Sequence, residues 1–236
     1  MTMKTYIITG ANRGLGLEFV RQISSASDSN TIFACVRSLQ GDLDELKALA
    51  AHKSSIHIIE CDTSSVPSVG KCANEVSKLL NGSQLNFLIN NAGVNAVPTK
   101  TALEMTPEDL QMHMEINVVG PSEMVKAFKT HLADGSTVLN MTSGLGSFQK
   151  RVIKCCTYAI SKAALNMLTV HQADTLKEKG VRVILMDPGW VQTRMGGEGA
   201  ILTPQQSIEG MLKLLHENSK DDSGTFYQYD GDIVPW

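Results

Sequence analysis

Apolar runs of strand length alternate along this chain with longer segments in which apolar residues recur at helical spacing. The runs lie at residues 5–9, 31–36, 56–61, 85–90, 137–141 and 181–186, and a seventh, edge strand is predicted at 225–229. They are apolar on successive residues, which is typical of strands covered on both faces in a parallel sheet. The helical segments lie at residues 15–25, 42–52, 66–80, 107–132, 157–179 and 204–217.

Repeated alternation of strands and helices predicts right-handed βαβ units. We therefore expect an α/β fold with one Rossmann-type, doubly wound parallel sheet of about seven strands and helices on both faces. The helix at 107 has a strong start signal, because Thr106 can cap it, Pro107 suits its first turn and Asp109 completes a capping-box spacing. No repeat, linker or break in composition divides the sequence, so we expect a single domain over residues 1–236.

A glycine-rich turn, TGANRGLG at residues 9–16, joins the first predicted strand to the first helix. Glycines allow a tight turn here, and they let backbone N–H groups approach a pyrophosphate at the helix N-terminus. The spacing is weak evidence by itself, but its position directly after the first strand favours a nucleotide site. The residues that we expect to contact the nucleotide are Gly10, Asn12, Arg13, Gly14, Leu15 and Gly16.

The residues that follow the second and third strands bear on which nucleotide binds. An NAD site has Asp or Glu about twenty residues beyond the glycines, where the carboxylate bonds the ribose 2′-hydroxyl. This chain has Arg37 there and Arg13 in the glycine turn, and two guanidinium groups near a 2′-phosphate favour NADP(H). The alternative is that both arginines are solvated surface residues. Asp62 and the adjacent Thr63 are candidates for contact with adenine, and a turn cap is the alternative interpretation of Asp62.

The carboxyl ends of the fourth and fifth strands carry small and polar residues. Asn91, Ala92 and Gly93 follow the fourth strand, where small side chains let a flat ring or a ribose lie against the backbone. An Asx-turn at the strand exit is the alternative interpretation. Ser143 follows the fifth strand, so we expect it at the edge where ligands bind in such sheets.

Asn117 lies inside the predicted helix 107–132, although Asn is unfavourable in a helix interior. Gly120 and Pro121 follow soon after it and weaken the helix further. We expect a local bend near Asn117 that frees a backbone carbonyl for water.

Tyr158 and Lys162 stand four residues apart near the start of the long apolar helix 157–179. Residues at this spacing share a helix face, with about 5–6 Å between their Cβ atoms. An ammonium beside a phenol favours the phenolate, which predicts a phenol pKa below its ordinary value near ~10. Such a phenol can exchange a proton with a developing alkoxide. The alternative is an amphipathic helix with the tyrosine packed inward and the lysine in solvent.

Taken in order, these motifs resemble those of the short-chain dehydrogenase/reductase family over nearly the whole chain. The resemblance also includes PGWVQT at residues 188–193, after the sixth strand. Within the family, residues 188–197 and 229–231 resemble the C-factor and sniffer-type carbonyl reductases. The loop between Ser143 and Tyr158 is slightly longer than is usual in the family, so the resemblance does not assign the residues that form the wall of the substrate pocket.

The resemblance implies a role for each matching residue. Tyr158 would be the general acid in reduction, and Ser143 would bond and polarise the carbonyl oxygen. Lys162 would hold the nicotinamide ribose and lower the pKa of Tyr158, while Asn117 would fix a water that links Lys162 to solvent protons. Val191 and Thr193 would meet the nicotinamide carboxamide. The implied cofactor contacts in this part of the chain are Tyr158, Lys162, Pro188, Gly189, Val191 and Thr193.

The segment after Thr193 bears on the size of the substrate. Residues 194–203 include three glycines and are too few for a large lid, so we expect them to be mobile unless something packs on them. With Ser143 and Tyr158, the apolar pocket candidates are Phe148, Trp190 and Met195. We expect an open, apolar mouth for bulky ketones, aldehydes or quinones. The alternative is that Trp190 belongs to the core and the loop orders against the protein.

Composition excludes several other classes of function. The 236 residues carry a net charge of -3 with scattered Lys and Arg, which argues against nucleic acid or an anionic membrane as a partner. No stretch reaches the ~18 apolar residues of a membrane span, and the apolar run at the N-terminus is too short for a signal peptide. The five cysteines form no CxxC pair, which favours free thiols in a cytoplasmic protein; we expect no metal site.

The sequence leaves three functions open. The first is an NADPH-dependent carbonyl reductase, the second is an NADP-dependent secondary-alcohol dehydrogenase, and the third is a non-catalytic NADP-binding regulator on the same fold. The four residues Asn117, Ser143, Tyr158 and Lys162 argue against the regulator, which has no need of them all. The helix 157–179 is apolar on more than one face, so a homodimer is a further expectation.

Overall fold

Seven parallel strands form one sheet in the computed structural model, which describes residues 3–217 and 222–236. Their order across the sheet is β3-β2-β1-β4-β5-β6-β7. The strands are β1 Thr5–Thr9, β2 Thr31–Val36, β3 Ile56–Glu60, β4 Phe87–Asn90, β5 Thr137–Met141, β6 Arg182–Asp187 and β7 Phe226–Gln228. All seven lie within a residue or two of the predicted runs, so the parallel sheet expected from the sequence is confirmed.

Helices cover both faces of this sheet. They are α1 Gly14–Ala26, α2 Asp44–Ala51, α3 Val66–Leu80, α4 Pro107–Met114, α5 Gly120–Phe128, α6 Cys156–Leu176 and α7 Pro204–His216. One core cluster joins α1, α2 and α7 to the sheet, and a second joins α3, α5 and α6 to its other face. In β1, Tyr6 and Ile8 pack into the first cluster and Ile7 into the second, which explains why successive residues of the strand are apolar.

The order of the strands creates a crevice at the carboxyl edge of the sheet. The chain runs outward from β1 through β2 to β3 and then returns to place β4 on the other side of β1. Ligands of doubly wound sheets bind at such a reversal, outside the carboxyl ends of the strands. The glycine turn after β1 and residues 91–93 after β4 therefore flank the same crevice.

The helix predicted over residues 107–132 is present over 107–128 and changes its winding in the middle. The segment consists of α4, a π-helical turn at Glu115–Val119 and α5, and the Gly120 N–H bonds back to the Glu115 carbonyl. A Cβ on Gly120 would lie 3.0 Å from the Thr63 carbonyl oxygen, so this part of the helix packs closely on the chain after β3. The capping box of Thr106 and Asp109 is confirmed. π-turns inside helices are frequent at functional sites, and this one carries Asn117.

Among the described residues, no helix combines the length and apolar character that a membrane crossing requires.

Candidate active site

Asn91 ties the end of β4 to the glycine turn after β1. Its side-chain nitrogen donates to the Thr9 carbonyl oxygen at 2.8 Å. The Thr9 hydroxyl oxygen in turn accepts from the backbone N–H groups of Asn91 and Ala92, at 3.0 and 2.9 Å. The structure thus brings together two segments that the sequence predicts as parts of one nucleotide site.

The glycine turn leaves no room for side chains beside the start of α1. A Cβ on Gly16 would lie 2.1 Å from the Gly10 carbonyl oxygen and 2.7 Å from the Asn91 side-chain nitrogen. Gly10 and Gly14 have φ angles of +66° and +54°, which favour glycine. The helix begins at Gly14 with no side-chain cap and no acidic residue in its first turn. Its first N–H groups are therefore suited to an anion such as a pyrophosphate.

Arg13 and Arg37 both lie on the surface at this edge of the sheet. Their two segments are joined by a 3.0 Å hydrogen bond from the Ala11 N–H to the Cys35 carbonyl. Within the part of the chain that the structure describes, neither guanidinium group forms an ion pair. Asn12 is engaged differently, because its side-chain nitrogen donates to the Asp42 carbonyl oxygen at 3.2 Å.

Asp62 caps a local turn, as the alternative interpretation of this residue expects. Its Oδ1 accepts from the Ser64 N–H at 3.0 Å and from the Ser64 hydroxyl at 2.7 Å. The hydroxyl of Ser68 accepts from the Asp62 N–H at 2.9 Å. The turn cap is therefore present, and the contact of Asp62 and Thr63 with adenine stays a prediction.

Lys162 is buried, so the alternative that places it in solvent is wrong. Its Nζ donates to the Met141 carbonyl oxygen at 2.7 Å. A Cβ on Gly93 would lie 3.5 Å from this Nζ and 3.2 Å from the Asn117 Oδ1, so Gly93 packs against both side chains. Burial lowers the pKa of Lys162 to about 7, which allows the amine to exchange a proton near neutral pH.

Asn117 is fully buried and joins the loop after β4 to α6. Its Nδ2 donates to the Val94 carbonyl and to the Ser161 hydroxyl, both at 2.9 Å, and its Oδ1 accepts from the Val94 N–H at 2.8 Å. The side chain is thus occupied in holding the elements around Lys162. A π-turn lies where the bend was expected. The bend itself and the water held by a backbone carbonyl stay predictions.

Tyr158, near the start of α6, is influenced by the side chain of Ser143, which follows β5. Burial raises the pKa of Tyr158, the nearby charge of Asp187 raises it further, and a hydrogen bond with the Ser143 side chain acts in the opposite direction. The lowered phenol pKa expected from the sequence is therefore wrong for this structure. Lys162 lies over the tyrosine ring, with its Nζ 5.5 Å from the ring centre, and its hydrogen bond goes to Met141.

The segment after β6 is folded on itself. Val191 pairs with Leu202 in an isolated parallel bridge, and the Thr193 N–H donates to the Val191 carbonyl at 2.8 Å. The Trp190 indole N–H donates to the Gly196 carbonyl at 2.7 Å, and a Cβ on Gly199 would lie 3.0 Å from the indole ring. Trp190 thus supplies the packing that the glycine-rich loop needs, so the loop orders as the alternative interpretation expects.

The three apolar pocket candidates are exposed. The exposed fractions are 81% for Phe148, 50% for Trp190 and 49% for Met195. Trp190 is therefore not a core residue. Whether the three side chains line one substrate pocket stays a prediction, and their exposure fits an open mouth.

Sequence reasoning missed Asp187, the last residue of β6. It is buried, and its Oδ1 accepts from the Gly189 N–H at 3.1 Å. The signal was present, because a carboxylate ends an otherwise apolar strand directly before Pro188 and Gly189. Buried carboxylates are rare, so this position merited a place among the candidates.

Comparison with known proteins identifies the family of this chain. The family model "short chain dehydrogenase" matches residues 4–200. The NADPH-bound carbonyl reductase from chicken fatty liver is 32% identical, with a TM-score of 0.94 and 100% of both chains covered. The carbonyl reductase Sniffer of D. melanogaster is 28% identical, with the same TM-score and coverage. C-signal from Myxococcus xanthus is 35% identical over 155 residues, which cover 64% of this chain and 93% of that protein. The chain therefore belongs to the short-chain dehydrogenase/reductase family of oxidoreductases.

Proposed function

We propose that this protein reduces the carbonyl group of a ketone, an aldehyde or a quinone with NADPH as the reductant. The observation that carries the proposal is the buried Lys162, whose Nζ lies 5.5 Å from the centre of the Tyr158 ring at the edge of the sheet where Ser143 follows β5. Ser143 and Tyr158 each carry a hydroxyl group that can donate a hydrogen bond to the oxygen of a carbonyl group.

The residues around the crevice fit NADP(H). The tight turn over Gly10, Gly14 and Gly16 leaves the start of α1 without a side-chain cap or an acidic residue, which supports binding of the pyrophosphate there. Arg13 and Arg37 are exposed and would pair with the 2′-phosphate, and the chicken liver relative was crystallised with NADPH. The remaining contacts that we propose are Asn12, Leu15, Asp62, Thr63, Asn91, Ala92, Gly93, Tyr158, Lys162, Pro188, Gly189, Val191 and Thr193.

In the proposed reaction, the side chains of the protein hold the carbonyl group and deliver the proton. When bound, NADPH supplies the hydride. Ser143 donates a hydrogen bond to the carbonyl oxygen, and Tyr158 donates the proton that this oxygen gains. Lys162 has a pKa of about 7 and can return a proton to Tyr158, and Asn117 holds the elements that enclose Lys162.

The raised pKa of Tyr158 fits the role of proton donor in a reduction. A proton donor must be protonated at the working pH, and burial of Tyr158 keeps the phenol neutral. Oxidation of an alcohol would need the phenolate as the base, and this form is scarce near neutral pH. We therefore assign Tyr158 the role of proton donor and keep alcohol dehydrogenation as the second candidate function.

We also propose that the protein is a cytoplasmic homodimer. The supporting observation for the dimer is the exposed apolar surface of α6, which includes Ile160, Met167 and Val170. All five cysteines are free, which supports a reducing compartment. Light scattering on the purified protein would give the mass, and a monomer at every concentration would contradict the dimer.

The test of the proposed function is a cofactor-consumption assay. The purified protein would be mixed with NADPH and with ketones, aldehydes or quinones, and loss of NADPH absorbance would be followed. We expect consumption with at least one of the three classes and a much lower rate with NADH. An absence of consumption with every class, in a folded protein that binds NADPH, would contradict the proposal.

A further inference from the structure

Asn166 is a buried polar side chain on α6 to which the proposed reaction assigns no role. It lies four residues after Lys162, which itself lies four residues after Tyr158, so the three side chains project from the same side of the helix. Asn is unfavourable in a helix interior, and Asn166 is only 4% exposed. Its hydrogen-bond partners therefore show what the residue does.

The two side-chain partners of Asn166 stand on either side of Ser143. The Asn166 Oδ1 accepts from the Thr142 hydroxyl at 2.5 Å, and its Nδ2 donates to the Gly146 carbonyl oxygen at 3.4 Å. Thr142 directly precedes Ser143, and Gly146 ends the short helical turn Gly144–Gly146 that follows it. The Gly146 N–H also bonds back to the Ser143 carbonyl at 2.9 Å. One amide thus holds the segment that carries the Ser143 hydroxyl at both ends.

This segment, residues 142–146, packs directly on the backbone of α6. A Cβ on Gly146 would lie 2.9 Å from both the Ala163 nitrogen and the Lys162 carbonyl carbon. From the helix side, the Lys162 Nζ donates to the Met141 carbonyl at 2.7 Å. A movement of segment 142–146 along the helix would leave the buried amide of Asn166 without its partners, which is unfavourable. The contact therefore has one preferred position.

We propose that Asn166 is a positioning residue that fixes the Ser143 hydroxyl relative to Tyr158 and Lys162. The proposal rests on the proposed function, in which Ser143 and Tyr158 bond the same carbonyl oxygen. Ser143 follows a strand and Tyr158 lies on a helix, so their relative position depends on the contacts between β5 and α6. A misplacement of about 1 Å can lower a rate by on the order of 10²-fold.

A second side-chain contact between β5 and α6 provides a matched control. The Asn140 Nδ2 donates to the Thr169 hydroxyl oxygen at 2.8 Å, and this hydroxyl donates to the Leu165 carbonyl, also at 2.8 Å. Thr169 is buried like Asn166, but these hydrogen bonds lie outside segment 142–146. Thr169→Val keeps the shape of the side chain and removes the hydroxyl. It therefore weakens the contact of the same two elements without releasing Ser143.

The first experiment measures amide hydrogen exchange without substrate or cofactor. Mass spectrometry would follow the segment 142–149 in the wild type, in Asn166→Leu and in Thr169→Val. Loss of the hydrogen bonds of Asn166 should speed exchange of this segment by on the order of 10-fold. Thr169→Val should leave it near the wild-type rate. Unchanged exchange in a folded Asn166→Leu protein would overturn the proposal.

The second experiment measures kcat for carbonyl reduction at saturating NADPH. Asn166→Leu should lower kcat by on the order of 10²-fold, whereas Thr169→Val should retain most of it. If Asn166 acts through Ser143, the double variant Ser143→Ala/Asn166→Leu should lose little beyond Ser143→Ala alone. A merely structural role would make the two losses multiply, which would overturn the proposal. An equal loss of kcat in Thr169→Val would overturn it as well.

Thr142 gives a second approach if Asn166→Leu does not fold. Thr142→Val removes the hydroxyl that bonds Asn166 and should produce the same faster exchange and lower kcat, and Thr142→Ser, which keeps the hydroxyl, should restore both. Wild-type behaviour of Thr142→Val would overturn the proposal. Failure of the proposed function would appear separately, as a wild-type protein that consumes no NADPH, and the exchange experiment would still decide whether Asn166 holds the segment.

Discussion

Lys162 places its ammonium nitrogen over the ring of Tyr158, 5.5 Å from the ring centre. The nitrogen is held there by its hydrogen bond to the Met141 carbonyl, away from bulk water. Burial shifts the two groups in opposite directions, lowering the pKa of the lysine to about 7 and raising that of the tyrosine. Both shifts favour the neutral form, which is the general effect of a low-dielectric environment.

The first prediction concerns stability and pH. Lys162 has a pKa of about 7 in the folded protein, whereas an unfolded lysine titrates near ~10.4. Between these values the unfolded chain binds more protons, so the buried amine costs stability below about pH 7 and this cost fades as pH rises towards ~10.4. Lys162→Met removes the cost, so its free energy of unfolding should exceed the wild-type value most clearly at low pH.

Urea unfolding at several pH values would measure this difference. Lys71→Met, at an exposed position on α3, is the matched control and should leave the pH dependence unchanged. If the difference in free energy of unfolding between Lys162→Met and the wild type stays constant between about pH 6 and ~10, then the pKa of Lys162 is not lowered by burial.

The second prediction concerns the proton donor. Tyr158→Phe keeps the packed ring and removes only the hydroxyl, so the fold and the affinity for NADPH should be retained. The kcat for carbonyl reduction should fall by about 10²–10⁴-fold, which is the usual size of general acid catalysis. Tyr229→Phe serves as the control for loss of a hydroxyl elsewhere. Near-normal turnover by Tyr158→Phe would show that Tyr158 is not the proton donor.

The sequence was sufficient to place the site residues at one edge of the sheet, because that edge follows from strand polarity. It also predicted a bend near Asn117 from Gly120 and Pro121. It could not predict the π-turn itself, and the close packing of Gly120 against Thr63 at the end of that turn is a contact that only the folded chain creates. The pKa of Tyr158 was predicted in the wrong direction for a similar reason. It depends on burial and on Asp187, which three-dimensional packing brings beside the phenol.

The third prediction concerns cofactor preference. Arg37→Asp replaces a proposed partner of the 2′-phosphate with a like charge, and the new carboxylate can bond a free 2′-hydroxyl. The ratio of kcat/KM for NADPH to that for NADH should therefore fall. Lys71→Asp makes the same change of charge at another exposed site and should leave the ratio near the wild-type value. If Arg37→Asp also leaves the ratio near the wild-type value, then Arg37 does not bind the 2′-phosphate.

The fourth prediction compares two glycines in helices. Gly16→Ala forces a methyl group to within 2.1 Å of the Gly10 carbonyl, so the turn must move and both stability and NADPH affinity should fall. Gly70, in α3, has no atom near its Cβ position, and Gly70→Ala should raise stability by about 0.5–1 kcal/mol through helix propensity. Thermal unfolding and NADPH titration would measure both variants. Equal behaviour of the two would mean that the turn has more room than its geometry indicates.

The last prediction concerns the mouth of the site. Phe148 is 81% exposed and belongs to a loop that is tied down on either side, since the Ser147 hydroxyl donates to the Pro235 carbonyl and the Gln149 N–H to the Trp236 carbonyl. The backbone that carries this ring is thus fixed while the ring itself is open to solvent. If the ring contacts substrate, as we propose, it contributes an apolar surface that favours large aromatic carbonyl compounds over small ones.

Phe148→Ala should therefore raise the KM for bulky aromatic ketones and quinones, with little change for small aliphatic aldehydes and little loss of stability. Apolar contacts discriminate by only about 1–3 kcal/mol per methylene, so wild-type kcat/KM should vary by modest factors across a series of related substrates. Leu103→Ala is the matched control, because Leu103 is 99% exposed and lies outside the proposed site. The measurement is kcat/KM for the three proteins across carbonyl compounds of increasing size. A wild-type preference of several powers of ten for one small polar substrate would contradict an open apolar mouth, because such selectivity requires buried polar groups that reject the wrong ligand.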